Sequence, residues 1–385
     1  MNKPTHVLFL IDRFSGRIAG GAENTLMNII RLLPPDRYRS SLVILFDSRS
    51  QLMNSELPTC PVHFLPLRRS YDWTAIRMAV KLRRLIRSEQ VGIVHTFFET
   101  SDIWGGLVAR VSGSPVIISS RRDLGIQRAT KHDLAYRLVN PCFDRIVAVS
   151  EAVRKFCIDK DHVIPAKVVT LHSGIATEQI DAAHHVNGLR ESLRLQDATH
   201  VIATVAHVRH VKGIDVLIRS AAIVCREFPR ALFLIVGGIL EPQYFQQLQC
   251  LCESLQIGQN VRFVGLSDDV FSLLKICNLF CLPSRSEGFS NALLEAMACG
   301  LPCVATQVGG NIEALEEGGG FLVANEDWVA ISDRILFLLR NPERAHQMAQ
   351  VGQQIVAAKF NVQSMVNNLV TLYDDLLNAK CSPLN

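Results

Sequence analysis

At 385 residues, 48% of them apolar, the chain exceeds what one hydrophobic core usually serves and is far too apolar for disorder, so two globular domains are expected. Apolar runs such as residues 7–11, 116–118 and 232–236 fall well short of the roughly 20 residues that span a bilayer, so no transmembrane helix is predicted. The formal charge of +4 is uneven: residues 1–175 carry 25 Lys+Arg against 15 Asp+Glu and the remainder 15 against 21, which marks the first half as the one to meet an anionic partner.

The opening MNKPTHVLFLID passes from a short polar lead straight into a strand, without the separate apolar region and cleavage site of a signal peptide, so a cytoplasmic protein is expected. The 11 cysteines are scattered and form no CxxC pair, which points to buried free thiols and to no metal site. No nucleic-acid module or aromatic-interleaved basic patch is present, and nucleic acid is not an expected partner.

In chain order, apolar β-branched runs predict strands at residues 6–12, 41–46, 91–96, 116–119, 144–149 and 168–171. After an interruption they recur at 201–206, 231–236, 261–264, 279–282 and 302–305, with helix-period segments between most of them. This alternation predicts an α/β protein with two Rossmann-like parallel sheets. Polar residues from about 176 to 199, including His184 and His185, break the rhythm and place a domain boundary near 175. The predicted division is 1–175, 176–363 and 364–385. In the last segment Met365, Leu369, Leu372, Leu376 and Leu377 recur every three to four residues and predict a helix over 364–378.

Ligands of such sheets bind beyond the carboxyl ends of the strands. After the first strand comes Ile18-Ala-Gly20-Gly21-Ala-Glu-Asn, where two glycines allow a tight turn and a close backbone approach to a ligand; the dinucleotide fingerprint GxGxxG and the P-loop pattern are both absent. The basic helix Arg77-Met-Ala-Val-Lys-Leu-Arg-Arg-Leu-Ile-Arg87 suits either an anionic membrane surface or a solvated outer face. His95 ends a predicted strand and is a cleft candidate, although a lone His is more often structural. In the second half, Arg209 and Lys212 sit between a strand and a helix, where two cations three apart suit a diphosphate. The stretch Ser286-Glu-Gly-Phe-Ser-Asn-Ala-Leu-Leu-Glu295 follows a buried strand. Ser290 and Asn291 are N-cap residues, so Glu287 falls in the loop and Glu295 in the helix. Helix-start amides can hold a phosphate while the carboxylates accept hydrogen bonds from hydroxyls on either side of it.

Together GGAE, RHVKG, EGFSNALLEAMACGLPCVAT and VGGNIEAL, with DRIVAVSEAVRKF, resemble the retaining family 4 glycosyltransferases of the two-Rossmann GT-B fold over nearly the whole chain. The resemblance implies two facing Rossmann-like domains with a cleft between them: an acceptor-binding first domain, a nucleotide-sugar-binding second domain and a terminal helix crossing back. It implies that Glu287 contacts the donor sugar and Glu295 the ribose. Arg209 and Lys212, with the amides of Phe289, Ser290 and Asn291, would bind the diphosphate; Gly21, beside Gly20, would approach it from the first domain; and Leu266 would lie beside a uracil-type base. No cofactor or metal is implied, the nucleotide-sugar being a co-substrate.

Two departures stand out. Where many relatives carry a His after the strand that here ends in IISSRRD, this chain has Arg122, which cannot be a general base and would serve the leaving phosphate or an anionic acceptor. The Asn-Gly turn before the linker is Ser173-Gly174. Arg121, Arg122, Arg128 and Lys131 together suit an anionic acceptor such as a lipid-linked diphospho-sugar. The expected reaction is transfer of a hexose, UDP-linked in this reading, to a saccharide or lipid-linked acceptor at the inner face of the membrane. A sugar-nucleotide epimerase or hydrolase, or a non-catalytic sugar-nucleotide-binding protein, remain as alternatives.

Overall fold

Each run of apolar residues that ends in turn residues becomes a strand of one of two all-parallel sheets in the computed structural model. The structure describes residues 3–14, 20–47, 58–126, 128–181 and 188–381, without the side chains of Thr130, Lys131, Gln179, Asp181 and Cys381. His184, His185, Ile18 and Ala19 therefore lie outside the described residues. The chain divides into two compact units, Met1–Ser173 with Gln363–Asn385, and Gly174–Val362. No described helix is long and apolar enough to cross a membrane.

Unit 1 runs β1 (Thr5–Ile11), α1 (Gly21–Leu32), β2 (Tyr38–Ile44), β3 (Val62–Phe64), α2 (Trp73–Ser88), β4 (Val91–Phe97), α3 (Gly106–Ser112), β5 (Val116–Arg121), α4 (Thr130–Val139), β6 (Arg145–Ala148), α5 (Glu151–Asp159) and β7 (Val168–Thr170). The sheet order is β3-β2-β1-β4-β5-β6-β7. Strand order therefore reverses between β1 and β4. Right-handed crossovers put α1 on one face and α2 to α5, which all lead toward the β7 edge, on the other. Val7 to Ile11 are fully buried because both faces of the sheet are covered, so β1 shows no apolar–polar alternation. The second strand begins at Tyr38, earlier than expected, and the three-residue β3 gave no readable run.

Unit 2 runs α6 (Glu178–Asp181), α7 (Leu189–Ser192), β8 (His200–Val205), α8 (Ile214–Glu227), β9 (Ala231–Val236), α9 (Pro242–Ser254), β10 (Val261–Gly265), α10 (Val270–Lys275), β11 (Leu279–Leu282), α11 (Asn291–Ala298), β12 (Cys303–Thr306), α12 (Asn311–Leu315), β13 (Gly320–Val323), α13 (Trp328–Arg340) and α14 (Pro342–Lys359). The order β10-β9-β8-β11-β12-β13 reverses between β8 and β11. Strand β13 was not expected, because Gly318, Gly319 and Gly320 interrupt its apolar signal. The core gathers Ile202, Ile218, Phe233, Leu279, Ile331 and Ile335 between sheet and helices.

The last helix, α15 (Val362–Cys381), follows unit 2 in sequence but packs into unit 1. Val366, Leu369 and Tyr373 are fully buried, whereas the expected Leu372 and Leu377 lie half-buried at the flank. The Tyr38 hydroxyl donates to Asp374 (2.6 Å) and its ring lies 5.7 Å from that of Tyr373.

One close approach positions the loop after β11. Gly309 adopts φ +49°, and a Cβ there would lie 1.7 Å from the Glu287 carbonyl oxygen; next to it Gly310 N–H donates to Gly288 O (3.0 Å). Gly309→Ala is expected to cost about 2 kcal/mol or more of stability, from left-handed strain and displacement of the Glu287 loop. Gly20→Ala, where an added Cβ meets no described atom and φ is −69°, is expected to cost at most about 1 kcal/mol as a changed helix cap. Denaturant unfolding of both variants checks the contrast.

Candidate active site

In a parallel sheet the strand ends diverge at the point of order reversal and leave a crevice for ligands. In unit 2 that point lies between β8 and β11, and both turns leading out of these strands carry charge. Lys212 follows β8 and Glu287 follows β11. Lys212 Nζ donates to Glu287 Oε1 at 2.7 Å, and the buried Ser284 hydroxyl donates to the same oxygen at 2.6 Å. Oε2 receives no hydrogen bond from any described residue, so one carboxylate oxygen is fixed by the protein and the other is not. Arg209, at the start of the same turn, has its Nε 3.6 Å from Glu241 Oε1, while His210 N–H donates to Glu241 Oε2 (2.8 Å).

Arg285 was not singled out from the sequence, yet it joins these two turns. Its guanidinium donates to both oxygens of Asp215 (2.9 and 2.8 Å) and to His210 O (2.6 Å), and its amide donates to Val211 O (2.8 Å). Burial works against ionised Asp215, but hydrogen bonds from Arg285 and Tyr244 hold its carboxyl below the usual range. The available signal was an Arg two residues before Glu287 with an Asp three residues after Lys212. Gly213 completes the joint: at φ +62°, any Cβ would meet Pro283 O at 2.1 Å.

Beyond Glu287 the chain turns into α11 as its residues dictate. The Ser290 hydroxyl accepts from Leu293 N–H (3.3 Å) as N-cap, and Phe289 packs its ring 5.3 Å from Phe360. The first amides of a helix have no acceptor within the helix itself. Glu295 lies within α11 with part of its surface exposed, and its low-solvent surroundings push its carboxyl up to about 7. Leu266, just past β10, is half exposed beside Gly238 and His207, an apolar side chain open at the strand ends. Among the described residues no three His, Cys, Asp or Glu side chains gather in a metal-ligand arrangement.

Unit 1 departs from expectation in two places. His95, expected to face a cleft, is 1% exposed. Its ring nitrogens bond Tyr373 OH (2.6 Å) and Ser120 Oγ (2.8 Å), and it packs against Phe97 and Phe9. Burial, reinforced by the charge of Arg122, pulls its pKa down to about 3, so the ring is a neutral structural link to α15. Arg121, expected among cations for an acceptor, is 4% exposed. It pairs with Asp102 (3.1 Å) and Asp161 (3.2 Å), donates to Asn140 and Ser119, and lies 3.9 Å over the Tyr136 ring. Arg128 likewise pairs with Asp161 (2.6 Å). Both corrections have one cause: the partners come from distant parts of the chain.

Arg122 behaves differently. Its guanidinium donates to the hydroxyls of Thr25 (3.0 Å) and Ser173 (2.6 Å), and no described carboxylate pairs with it. Burial without a counter-charge pulls its pKa down to about 10, still protonated at neutral pH. Gly20 and Gly21 start α1 close by in sequence to Thr25, with Glu23 Oε2 accepting from Gly20 N–H (3.0 Å). At the reversal point of this sheet Asp12, also not foreseen, accepts from the amides of Thr100 and Ser101 (2.9 and 2.6 Å) and ties the end of β1 to that of β4.

Two family models match: Glycosyltransferase Family 4 over residues 19–179 and Glycosyl transferases group 1 over residues 187–355. The N-acetyl-alpha-D-glucosaminyl L-malate synthase of Bacillus anthracis is 29% identical over 61% of this chain, and the match spans 60% of that protein. The UDP-Gal:alpha-D-GlcNAc-diphosphoundecaprenol alpha-1,3-galactosyltransferase of Escherichia coli is 24% identical over 78% of this chain and 80% of its own length. The capsular polysaccharide biosynthesis glycosyltransferase CapM of Staphylococcus aureus is 25% identical, over 82% and 85% respectively. Among solved structures, Anabaena Alr3699/HepE in complex with UDP superposes with a TM-score of 0.82 at 19% identity, covering 96% of this chain and all of that one. A glycosyltransferase from Rickettsia africae gives 0.84 at 17%, covering 98% and 99%.

The buried His95 makes a pH prediction. Because its folded pKa is about 3 against an ordinary 6.5, the unfolded chain takes up a proton there that the folded chain refuses. Stability is therefore complete above pH 6.5 and falls as pH drops toward 3, with a slope approaching about 1.4 kcal/mol per pH unit from this residue. His95→Gln is expected to flatten the acid side of the stability profile in chemical unfolding measured between those limits.

Proposed function

Because the chain belongs to the family 4 glycosyltransferases of the GT-B fold, we propose that it moves a hexose from a UDP-sugar, with retention of anomeric configuration, to a hydroxyl of a saccharide or lipid-linked saccharide in cell-surface polysaccharide or glycolipid synthesis. The observation that carries this reading is the Lys212–Glu287 pair at the order reversal of the second sheet, with Glu287 Oε2 left to accept a hydrogen bond. In this reading Oε2 accepts from a hydroxyl of the transferred sugar. Lys212 and Arg209 neutralise the diphosphate as it leaves, helped by the amides of Phe289, Ser290 and Asn291. Glu295 accepts from the ribose and Leu266 lies against the base. Arg122 brings a charge that no described carboxylate pairs with, which suits an anionic group on the acceptor or the leaving phosphate. Gly20 and Gly21 give the backbone of α1 room to approach a substrate. The UDP and UDP-glucose in the HepE structures support UDP as the nucleotide, and the undecaprenol-linked acceptor in the E. coli relative's name supports a lipid-linked one.

The reaction forms a bond between the acceptor oxygen and the anomeric carbon, breaks the bond from that carbon to the diphosphate, and passes the acceptor proton to the departing phosphate oxygen. Protein cations stand in for a bound metal. Glu287→Ala and Lys212→Ala are each expected to lower kcat/KM at least about tenfold with an unchanged circular dichroism spectrum, while EDTA leaves the wild type active. Mass spectrometry with and without acceptor distinguishes transfer from conversion of donor alone. Full activity in both variants overturns the reading.

A second expectation concerns pH. If ribose hydroxyls donate to ionised Glu295, whose free carboxyl lies at about 7, donor affinity should rise with pH and level off above that value. Calorimetric titration of UDP-sugar from about pH 6 to 8 should show this rise in the wild type and a flat profile in Glu295→Gln.

A further inference from the structure

Unit 1 exposes large apolar side chains where its charge is most one-sided. Helix α2 buries Ala75, Met78, Leu82 and Ile86. Its opposite face carries Trp73, Ile76 and Val80, with 84%, 57% and 46% of their surface exposed, spaced so that all three share one side of the helix. Among them stand the exposed Arg77, Lys81, Arg83, Arg84 and Arg87, and the helix contains no Asp or Glu. The carboxylates at its ends are engaged: Asp72 caps Ala75 N–H, and Glu89 lies by His6 and Arg39. A merely solvated outer face would show the charges without an exposed Trp.

The pattern continues over the neighbouring helices of the same face. Helix α3, packed on α2, exposes Leu107 and Val111 one turn apart. Helix α4 exposes Leu134 and Leu138, again one turn apart, beside the exposed Arg137. Tyr71, 75% exposed, stands just ahead of α2. Aliphatic side chains in single turns, interfacial aromatics and a one-signed row of cations suit a boundary that is apolar on one side and negatively charged at its rim. A nucleic acid would answer the cations and leave the aliphatics in water.

We propose that this face of unit 1 docks on a bilayer surface bearing anionic lipid headgroups, with the α2 cations against the phosphates and Trp73, Tyr71 and the aliphatic side chains at the acyl boundary. The surface is independent of the sugar-transfer reading and holds whether or not the acceptor is lipid-linked.

Full-length protein is pelleted with vesicles of phosphatidylcholine alone, or with about 40% phosphatidylglycerol, at about 100 and 500 mM salt. Partition onto the anionic vesicles is expected to exceed that onto neutral ones at least about tenfold and to weaken at high salt. Trp73→Ala with Val80→Ala, and separately Arg77→Gln with Arg84→Gln, should each lower it at least about fivefold with UDP binding unchanged. Absence of pelleting, equal binding to both vesicle types, or no effect of either double variant overturns the proposal. So does a dimer in sedimentation velocity that the Trp73/Val80 variant dissolves without any vesicle binding, which assigns the face to a second copy of the chain.

Discussion

A carboxylate and an ammonium held 2.7 Å apart where the second sheet reverses its strand order are the constraint around which unit 2 is arranged. Glu287 alone at this crevice would repel an anion, and Lys212 alone would leave no acceptor for a hydroxyl. Joined, they neutralise one another while each keeps capacity for a ligand: Lys212 has further N–H groups, and Glu287 keeps its second oxygen. Such a pair is useful only if its two turns are rigid relative to each other. Arg285 supplies side-chain and backbone bonds between them, Gly213 lets them approach, and Gly309 and Gly310 support the Glu287 loop from the β12–α12 side.

Unit 1 sets two consecutive arginines to opposite uses. Side chains alternate along a strand, so at the end of β5 Arg121 and Arg122 are directed to different surroundings. Arg121 enters a core prepared for it, with Asp102 and Asp161 as counter-charges and the Tyr136 ring beneath it. Among the described residues, Arg122 donates to the hydroxyls of Thr25 and Ser173 and pairs with no carboxylate. A guanidinium desolvated without a counter-ion is unfavourable in itself, and an incoming anion relieves the cost.

The elements were legible in the sequence wherever burial on both faces wrote a continuous apolar run, as in β8, β9 and β11, and where a cap residue stood at a helix start, as Ser290 does. Strands β3 and β13 escaped because one is three residues long and the other opens on glycine. The candidate site was legible as residue types at strand ends. Its internal bonding was not. His95 is bonded to a residue 278 positions away and Arg121 to one 40 away, and nothing local reveals such partners. Arg285 was obscured differently: it stands immediately before the Ser286–Glu295 motif, and its role depends on Asp215 in another turn.

The return of α15 to unit 1 has a consequence for the order in which the protein can form. Unit 1 supplies most of the first half of the chain, yet the side chains that close over Tyr38 and His95 belong to residues made after all of unit 2. During synthesis the earlier unit waits with an apolar face and a buried-type histidine open to water, while the later unit, contiguous in sequence, can complete its core first. Of the two units, the earlier to emerge from the ribosome is thus the later to be finished, and until then the surface that Val366, Leu369 and Tyr373 will cover stays open to aggregation.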